Sequence, residues 1–445
     1  MQKPTSEDQL RIRILIALLL FPVVLFGQIP EDEDDQQPDQ NDSGRALRLT
    51  FKNSPSLRAG DVFRMDLKSK WHLDFRHFYP PIASPPQTDD TFVLRRARFG
   101  LKGSVTKYFE YEVERELRAT FGDQHERHPW RDVYVDFGPY RLIQVKVGKF
   151  KLPFGLEELT SEDKLDFAYR SRVTEFLTPA RDKGVMLHGK VLKGDRLNYQ
   201  AGVFRNDGEN SDIQGVPTAA RTYAARVTGQ PLRFIPQLPG TLHRVQMGLA
   251  VTTGQMFEGL HGLHGQTASN FTYFPHMFVK GRRQRFETEL LWREGPFSIK
   301  GEFMHVSQER KQQSIRVQNL PDLISNGWYV TAGWVALGKM KARGGAPKNP
   351  FLTGHGFGAV ELAARFDVLS YTSATHVGTA SRSPRAPNVL ANSDRTWTFG
   401  ATWYVNHFVK IQANGEREWI EDIERGPVAG RNLFWTSVFR LQFAM

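Results

Sequence analysis

Cysteine is absent from all 445 residues, which excludes disulfides and thiolate metal sites but says nothing about compartment. Long apolar runs are missing too. A membrane-crossing helix needs about 20 consecutive apolar residues, and no stretch reaches that length, so a helical membrane protein is excluded. The mean hydropathy is negative. That leaves a β-barrel open, because only alternate barrel residues face lipid. No Gly-rich phosphate loop, no GxSxG and no HExxH motif occurs, so no local enzyme signature is present.

Acidic residues fall short of basic ones, 48 Asp and Glu against 59 Lys and Arg, a formal net charge of +11. The shortfall is uneven. Residues 1–44 hold three basic and nine acidic side chains, so the remainder carries +17. An excess of that size points to an anionic partner: nucleic acid, lipopolysaccharide, or an anion passing through a channel.

Within Met1–Gln28, Arg11 and Arg13 precede an apolar run from Ile14 to Phe26, the pattern of a secretory signal peptide. The next stretch, EDEDDQQPDQNDS at Glu31–Ser43, has no large apolar residue and cannot bury a core. Residues 29–58 are therefore expected to be an acidic, disordered lead-in, and residues 59–445 a single barrel domain.

From Asp61 onward a two-residue period dominates. It is clearest at the end of the chain, where Leu433, Trp435, Phe439, Leu441, Phe443 and Met445 share one phase and Thr436, Arg440 and Gln442 the other. That is a strand with one apolar and one polar face. Similar segments open at Asp61–His77, Phe92–Gly103 and Tyr108–Ala119. Trp130–Phe137 and Arg141–Phe150 meet at a Gly138-Pro139 turn, and Thr396–Tyr404 and Phe408–Trp419 meet across Val405-Asn406-His407. Sixteen segments are placed in all. Odd-numbered connections are mostly long and even-numbered ones mostly short, with Gly229–Thr241 and Gly338–Phe357 as exceptions. Short periplasmic turns opposite long outer loops predict an all-β fold, a sixteen-stranded antiparallel transmembrane β-barrel. Seven aromatics, Trp328, Trp334, Trp397, Trp403, Tyr404, Trp419 and Trp435, are expected as an interfacial girdle.

Four segments stand in order: FVLRRARFGLKGSVTKYFEYEVERE (Phe92–Glu116), VKVGKFKLPFGLEELTSEDKLDF (Val145–Phe167), RDKGVMLHGKV (Arg181–Val191) and FGATWYVNHFVKIQANGE (Phe399–Glu416). This series resembles the phosphate-selective porin O and P family of outer-membrane channels, over about Asp61–Met445. The resemblance implies a bacterial outer-membrane location, a homotrimer, and an inward fold of the third long connection, Lys151–Lys183, that narrows the pore. It implies small anions such as phosphate as permeants. Outer-membrane lipids and the barrel-assembly machinery would be further partners. A terminal aromatic is usual; here Met445 stands last, which leaves Phe443 as the assembly-signal aromatic.

Candidate residues follow from parity. If Phe99 and Leu101 face lipid, Arg96, Arg98 and Lys102 point inward, about 6.6 Å apart for two-residue steps. Lys146 is opposite in phase to Val145 and Val147 and joins them, and Arg170 and Arg172 are the candidates on the inward loop. Such a row offers an anion successive charged partners. The competing reading pairs these cations with Glu110, Glu112, Glu114 and Glu116 on the neighbouring strand. The inward loop mixes both signs and is nearly neutral. His125 and His128, and His261 and His264, are two-histidine spacings without cysteine and read as solvated loop residues. No catalytic residue, metal or cofactor is expected.

These features point to a channel for passive, anion-selective diffusion, phosphate or polyphosphate being the family's suggestion. Nucleic acid is not expected as a partner. A general or weakly selective porin of the same fold is the alternative, since lumen carboxylates are plentiful. A barrel hydrolase would need a converging Ser, His and carboxylate. A secreted soluble β protein would leave the parity of connection lengths unexplained.

Overall fold

Alternation governs the architecture. The computed structural model describes residues 47–51, 54–79, 90–118, 128–192, 196–211, 217–314, 317–341, 345–352, 354–373, 389–428 and 430–445. The expected signal peptide, most of the lead-in and His125 lie outside the described residues.

Two short strands, β1 (Leu47–Phe51) and β2 (Pro55–Ala59), precede the main sheet. Then come β3 (Phe63–Tyr79), β4 (Asp90–Val105), β5 (Phe109–Glu116), β6 (Trp130–Tyr140), β7 (Ile143–Lys151), β8 (Arg181–Lys190), β9 (Leu197–Phe204), β10 (Ala219–Gly229) and β11 (Gln246–Gly259). After a small ribbon, β12 (Gly265–Gln266) with β13 (Thr272–Phe274), the sheet resumes at β14 (Val279–Glu294). It continues through β15 (Phe297–Arg310), β16 (Leu320–Leu337), β17 (Ala359–Ser373), β18 (Asn392–Tyr404), β19 (Val409–Ile420) and β20 (Leu433–Ala444). Each of the sixteen long strands pairs antiparallel with its chain neighbours, and β20 returns to β3 to close the ring. Closure matters because lipid offers no partner to a bare backbone edge. All sixteen strands fall on the segments read from the sequence.

The seam is asymmetric. β20 covers β3 from Tyr79 down to Lys70, and Met445 continues the ladder with its N–H on the Ser69 carbonyl at 2.8 Å. Below that point β3 has six more residues, and four of them, Phe63 to Asp66, take another partner. β2 takes them, pairing Ser56 with Asp66 through Ala59 with Phe63, and β1 pairs with β2. This hairpin corrects the expectation of disorder up to residue 58. Leu47, Leu49, Phe51 and Leu57 give it alternation of its own, and it covers an edge that the shorter last strand leaves bare.

Outward positions are apolar and exposed, among them Phe75, Phe99, Val135, Val147, Val185, Leu249, Trp328, Val330, Trp397 and Phe439. Inward positions are polar and buried, including Arg98, Glu114, Glu116, Arg365, Glu416, Arg440 and Gln442. Of the expected girdle, Tyr404 departs: it is buried, and its hydroxyl donates to Glu361 Oε2 at 2.7 Å. One irregularity changes the phase of β4. The register shifts between His72/Arg96 and Leu73/Leu94, leaving Arg95 unpaired. Such a bulge reverses the parity of everything before it. Phe92 consequently faces outward against Phe75, ring centroids 4.9 Å apart, although it shares sequence phase with inward Arg96.

The main hydrophobic cluster lies inside the barrel. The 152–180 connection brings Phe154, Val173 and Leu177 to it. A second connection, 260–278, brings Leu263, Tyr273, Phe274 and Met277. Both meet an apolar patch of inner wall that includes Met304, Val306, Leu323, Tyr329, Leu369 and Tyr371. Burying one such side chain is worth about 1.5–3 kcal/mol, so these loops are packed parts of the fold. The sequence reading placed only the first of them inside.

Candidate pore constriction

The 152–180 loop enters the barrel at Leu152-Pro153-Phe154, all buried, and turns at Gly155, where φ is 86°. Only glycine adopts that backbone without strain. Beyond it the two short helices α1 (Leu156–Leu159) and α2 (Arg172–Leu177) flank a stretch of bends with one 3-10 turn at Glu162–Lys164. Ser171 caps α2, its hydroxyl oxygen accepting from the Thr174 N–H at 3.1 Å.

What holds the loop is a division of labour on the wall. Wall acceptors take loop N–H groups. The Gly155 N–H donates to Glu287 Oε2 at 2.7 Å, and that of Leu156 to Glu302 Oε1 at 2.6 Å. Ala168 donates to Asn414 Oδ1 at 2.7 Å and Arg172 to Asp367 Oδ1 at 2.9 Å. Wall cations and amides take loop carbonyls. Lys410 Nζ donates to the Asp163 and Leu165 carbonyls, each at 2.9 Å. Arg365 donates to the Tyr169 and Arg170 carbonyls, each at 3.2 Å, and Arg285 to that of Leu177 at 2.9 Å. Bonds to ionised partners are worth about 1.5–3 kcal/mol apiece, so the latch is strong in aggregate. The 260–278 loop uses the same device. Its Ala268 N–H donates to Glu418 Oε1 at 2.9 Å and its Leu263 N–H to Gln308 Oε1 at 3.1 Å.

The six sequence candidates divide clearly. Arg96, Arg98 and Arg170 converge on Glu162 of the loop. Arg98 also pairs with Glu116 at 2.9 Å, and Arg170 with Glu158 at 3.2 Å. Burial pushes the Glu162 carboxyl upward, but Arg96, Arg98 and Arg170 outweigh it and hold the group well below the usual carboxylate range. Arg172 reaches Glu416 at 2.6 Å and Glu418 at 3.2 Å, so it bridges loop and far wall. Lys146 pairs with Asp136 at 3.2 Å and lies 4.1 Å over the Tyr134 ring, away from the loop. Lys102 has no ion pair or side-chain hydrogen bond among the described residues. Its register neighbours are engaged elsewhere: Asp66 with Arg64, and Glu112 with Lys68.

Sequence reasoning missed several partners. Arg95 reads as lipid-facing by parity. After the bulge it lies 5.4 Å over the Tyr169 ring of the loop. Arg440 donates to Asp74 Oδ1 at 2.6 Å and also binds the Ala168 carbonyl. Arg283 and Arg285 enclose Asp207, all three fully buried. His264 is not the solvated residue expected. Its ring lies 4.1 Å from that of His276 and 5.3 Å from Phe176 of α2, so it joins the two inward loops. Burial, then the neighbouring His276, pushes its pKa down to about 3, and the two rings meet uncharged at neutral pH, tilted by 37°. The alternation of the 260–278 segment carries no signal of this, because its contacts span most of the chain.

A closed sixteen-stranded barrel with apolar alternation outside, charge inside and a latched inward loop defines an outer-membrane porin. The model of the phosphate-selective porin O and P family matches residues 65–415. The chain belongs to that family. It lies in the bacterial outer membrane and forms a channel for passive diffusion. Among solved structures it is similar to OmpT, an outer membrane protein of Vibrio cholerae. The loop L8 deletion mutant of OmpT is 12% identical with a TM-score of 0.54, over 86% of this chain and all of that one. An in-vitro folded trimer form of OmpT is likewise 12% identical, with a TM-score of 0.52 over 86% and 100%. Identities this low speak for the fold alone. No curated protein matches the sequence.

Proposed function

We propose that the channel passes small anions, phosphate among them, selected by fixed basic charge in a lumen narrowed by the 152–180 loop. One observation carries the reading. Wall carboxylates that would otherwise repel anions are turned onto internal donors: Glu287, Glu302 and Asp367 onto loop N–H groups, Glu162 onto three guanidiniums. The basic excess of the exported chain remains. An anion would exchange hydration for successive charge-assisted contacts, and several modest sites release it more readily than one deep site. Arg96, Arg98, Lys102, Lys146, Arg170 and Arg172 are the residues proposed to shape this field. Preference for phosphate over other anions rests on the family's description.

A second reading, a general or weakly selective porin, is favoured by a different observation. Five of those six cations already have a carboxylate within 4 Å, so their fields are partly cancelled. Reversal potential in a planar bilayer under a KCl gradient separates the two. A chloride-directed potential supports the first reading, and a cation-directed or null potential supports the second. Phosphate block of the chloride current would then single out phosphate. The remaining expectations belong to the same proposal. Residues 1–28 direct export, the barrel-assembly machinery takes β20 with Phe443, and three copies assemble, as the trimer form of OmpT supports.

A further inference from the structure

The two ends of the barrel differ in charge. Connections 106–108, 141–142, 191–196, 230–245, 295–296, 338–358 and 405–408 form one end, the end at which β3 begins and Met445 stops. In sequence these seven connections hold ten Lys and Arg and a single acidic residue, Asp195. The longest of them, 338–358, reaches both the lumen and the outer rim. Its Gly345 lies against Lys164 of the constriction loop, where an added Cβ would stand 3.9 Å from Lys164 Cγ. Phe351 and Phe357 pack on Trp403, with ring centroids 5.7 and 5.1 Å away. The Gly345 part of this connection therefore sits in the mouth beside the loop, while Phe351 and Phe357 hold the rest at the rim on outward-facing Trp403. Lys164, Lys339, Lys341 and Lys348 are exposed there, with Lys107 and Arg196 on the rim.

The chain supplies a counter-charge at the same end. Seven carboxylates and no basic residue lie between Gln28 and Arg45. They are tethered by the β1–β2 hairpin, which pairs with β3 next to the turn that carries Lys107. At about 3.3–3.6 Å per residue, Asp42 lies within ~20 Å of the hairpin and Glu31 within ~60 Å. We propose that the acidic segment Glu31–Asp42 docks on this basic mouth as a tethered polyanion and competes there with permeating anions. A tether of this length gives a local concentration in the mM range, which favours the chain's own segment over a free acidic partner. Anionic lipid headgroups are disfavoured by position, because Lys164 lies on the inward loop above the mouth and out of reach of the membrane surface.

Docking does not depend on the channel reading, but the competition with permeant anions does, so the test has two readouts. In the full chain, Glu31, Glu33, Asp32, Asp34, Asp35, Asp39 and Asp42 are replaced by Gln or Asn, and a labelled peptide of sequence EDEDDQQPDQNDS is added. Fluorescence anisotropy in detergent should show binding at ~0.1 M KCl that disappears at ~1 M, where the Debye length falls from ~10 to ~3 Å. Adding K339Q, K341Q and K348Q should weaken it roughly tenfold or more. In bilayers the neutralised chain should pass more chloride than the parent at ~0.1 M, and peptide on the hairpin side alone should reverse the gain. Peptide binding that needs Lys339, Lys341 and Lys348, in a protein that passes no current, would uphold docking and overturn the channel reading. Absence of peptide binding at low salt would overturn docking. So would equal binding to the lysine variant, or lysine-dependent binding of anionic lipid vesicles without peptide binding.

Discussion

Replacing Arg365 by Met tests whether wall charge holds the constriction. Arg365 is 2% exposed and donates four bonds: Nε to Asp367 Oδ2 at 3.1 Å, Nη1 to the Tyr169 carbonyl and Nη2 to the Arg170 carbonyl, each at 3.2 Å, and Nη2 to Thr398 Oγ1 at 3.5 Å. Its guanidinium also lies 4.7 Å over the Phe167 ring. Met preserves much of the volume and none of the donors. Two loop carbonyls lose a partner, and Asp367 keeps only the Arg172 N–H among its bonds to the loop. The two bonds to loop carbonyls exist only while the loop is docked, and charge-assisted bonds are worth about 1.5–3 kcal/mol apiece. At 1.4 kcal/mol per factor of ten, the balance between docked and released loop should shift by roughly two to four orders of magnitude. The barrel ladder is untouched, so heat-modifiable electrophoretic mobility should remain that of the parent. Single-channel conductance should rise, and limited trypsin should cut at Lys164, Arg170 or Arg172. An R365M channel with parental conductance and parental resistance to trypsin would refute the latch.

Other consequences can be checked alongside it. Glu162→Gln frees Arg96, Arg98 and Arg170 from a shared carboxylate, so the reversal potential should move further toward the anion limit while thermal stability falls. The pH dependence of this contact has a definite sign. Glu162 is depressed in the folded state, so its contribution is full above the ordinary value of about 4.3 and is lost as pH falls through the depressed one. Selectivity carried by this node should therefore be flat between neutrality and ~pH 5, as bilayer measurements at stepped pH would show. Lys102→Glu should change selectivity more than Lys146→Glu, because Lys146 already faces Asp136 at 3.2 Å and Lys102 has no described partner. Deleting residues 47–59 bares the β3 edge from Phe63 to Asp66. Folded yield, read as the heat-modifiable fraction, should drop while conductance of the folded channel persists.

Much of the fold is visible in single residues. Trp435, Phe439, Arg440 and Gln442 declare the two faces of β20, and the same period marks fifteen other strands. Lipid makes this legible, since it demands an apolar side chain at every second position regardless of what the strand pairs with. The β4 bulge escapes that reading. Arg95 and Arg96 are adjacent, and nothing local says that both address the loop; the pairing with His72 and Leu73 across β3 decides it. The β1–β2 hairpin escapes for another reason. Its worth comes from the β3 edge at Phe63–Asp66, which β2 pairs and β20 does not.

The candidate site was half visible. Parity put Arg96, Arg98, Lys102 and Lys146 on the wall, and the family resemblance, not periodicity, brought the loop arginines toward them. Partner choice was not contained there, because Arg172 meets Glu416 and Arg365 meets Tyr169 across long sequence separations.

By itself, then, the amino-acid sequence determined the strand count, the closed barrel, the orientation of faces and the excess of basic charge, all of which follow from local periodicity and composition. Tertiary structure alone decided that a second loop, 260–278, enters the lumen, that wall carboxylates turn to loop N–H groups, and that three arginines share Glu162. Those outcomes depend on which distant groups closure of the ring brings within hydrogen-bonding reach, and no local pattern encodes that distance.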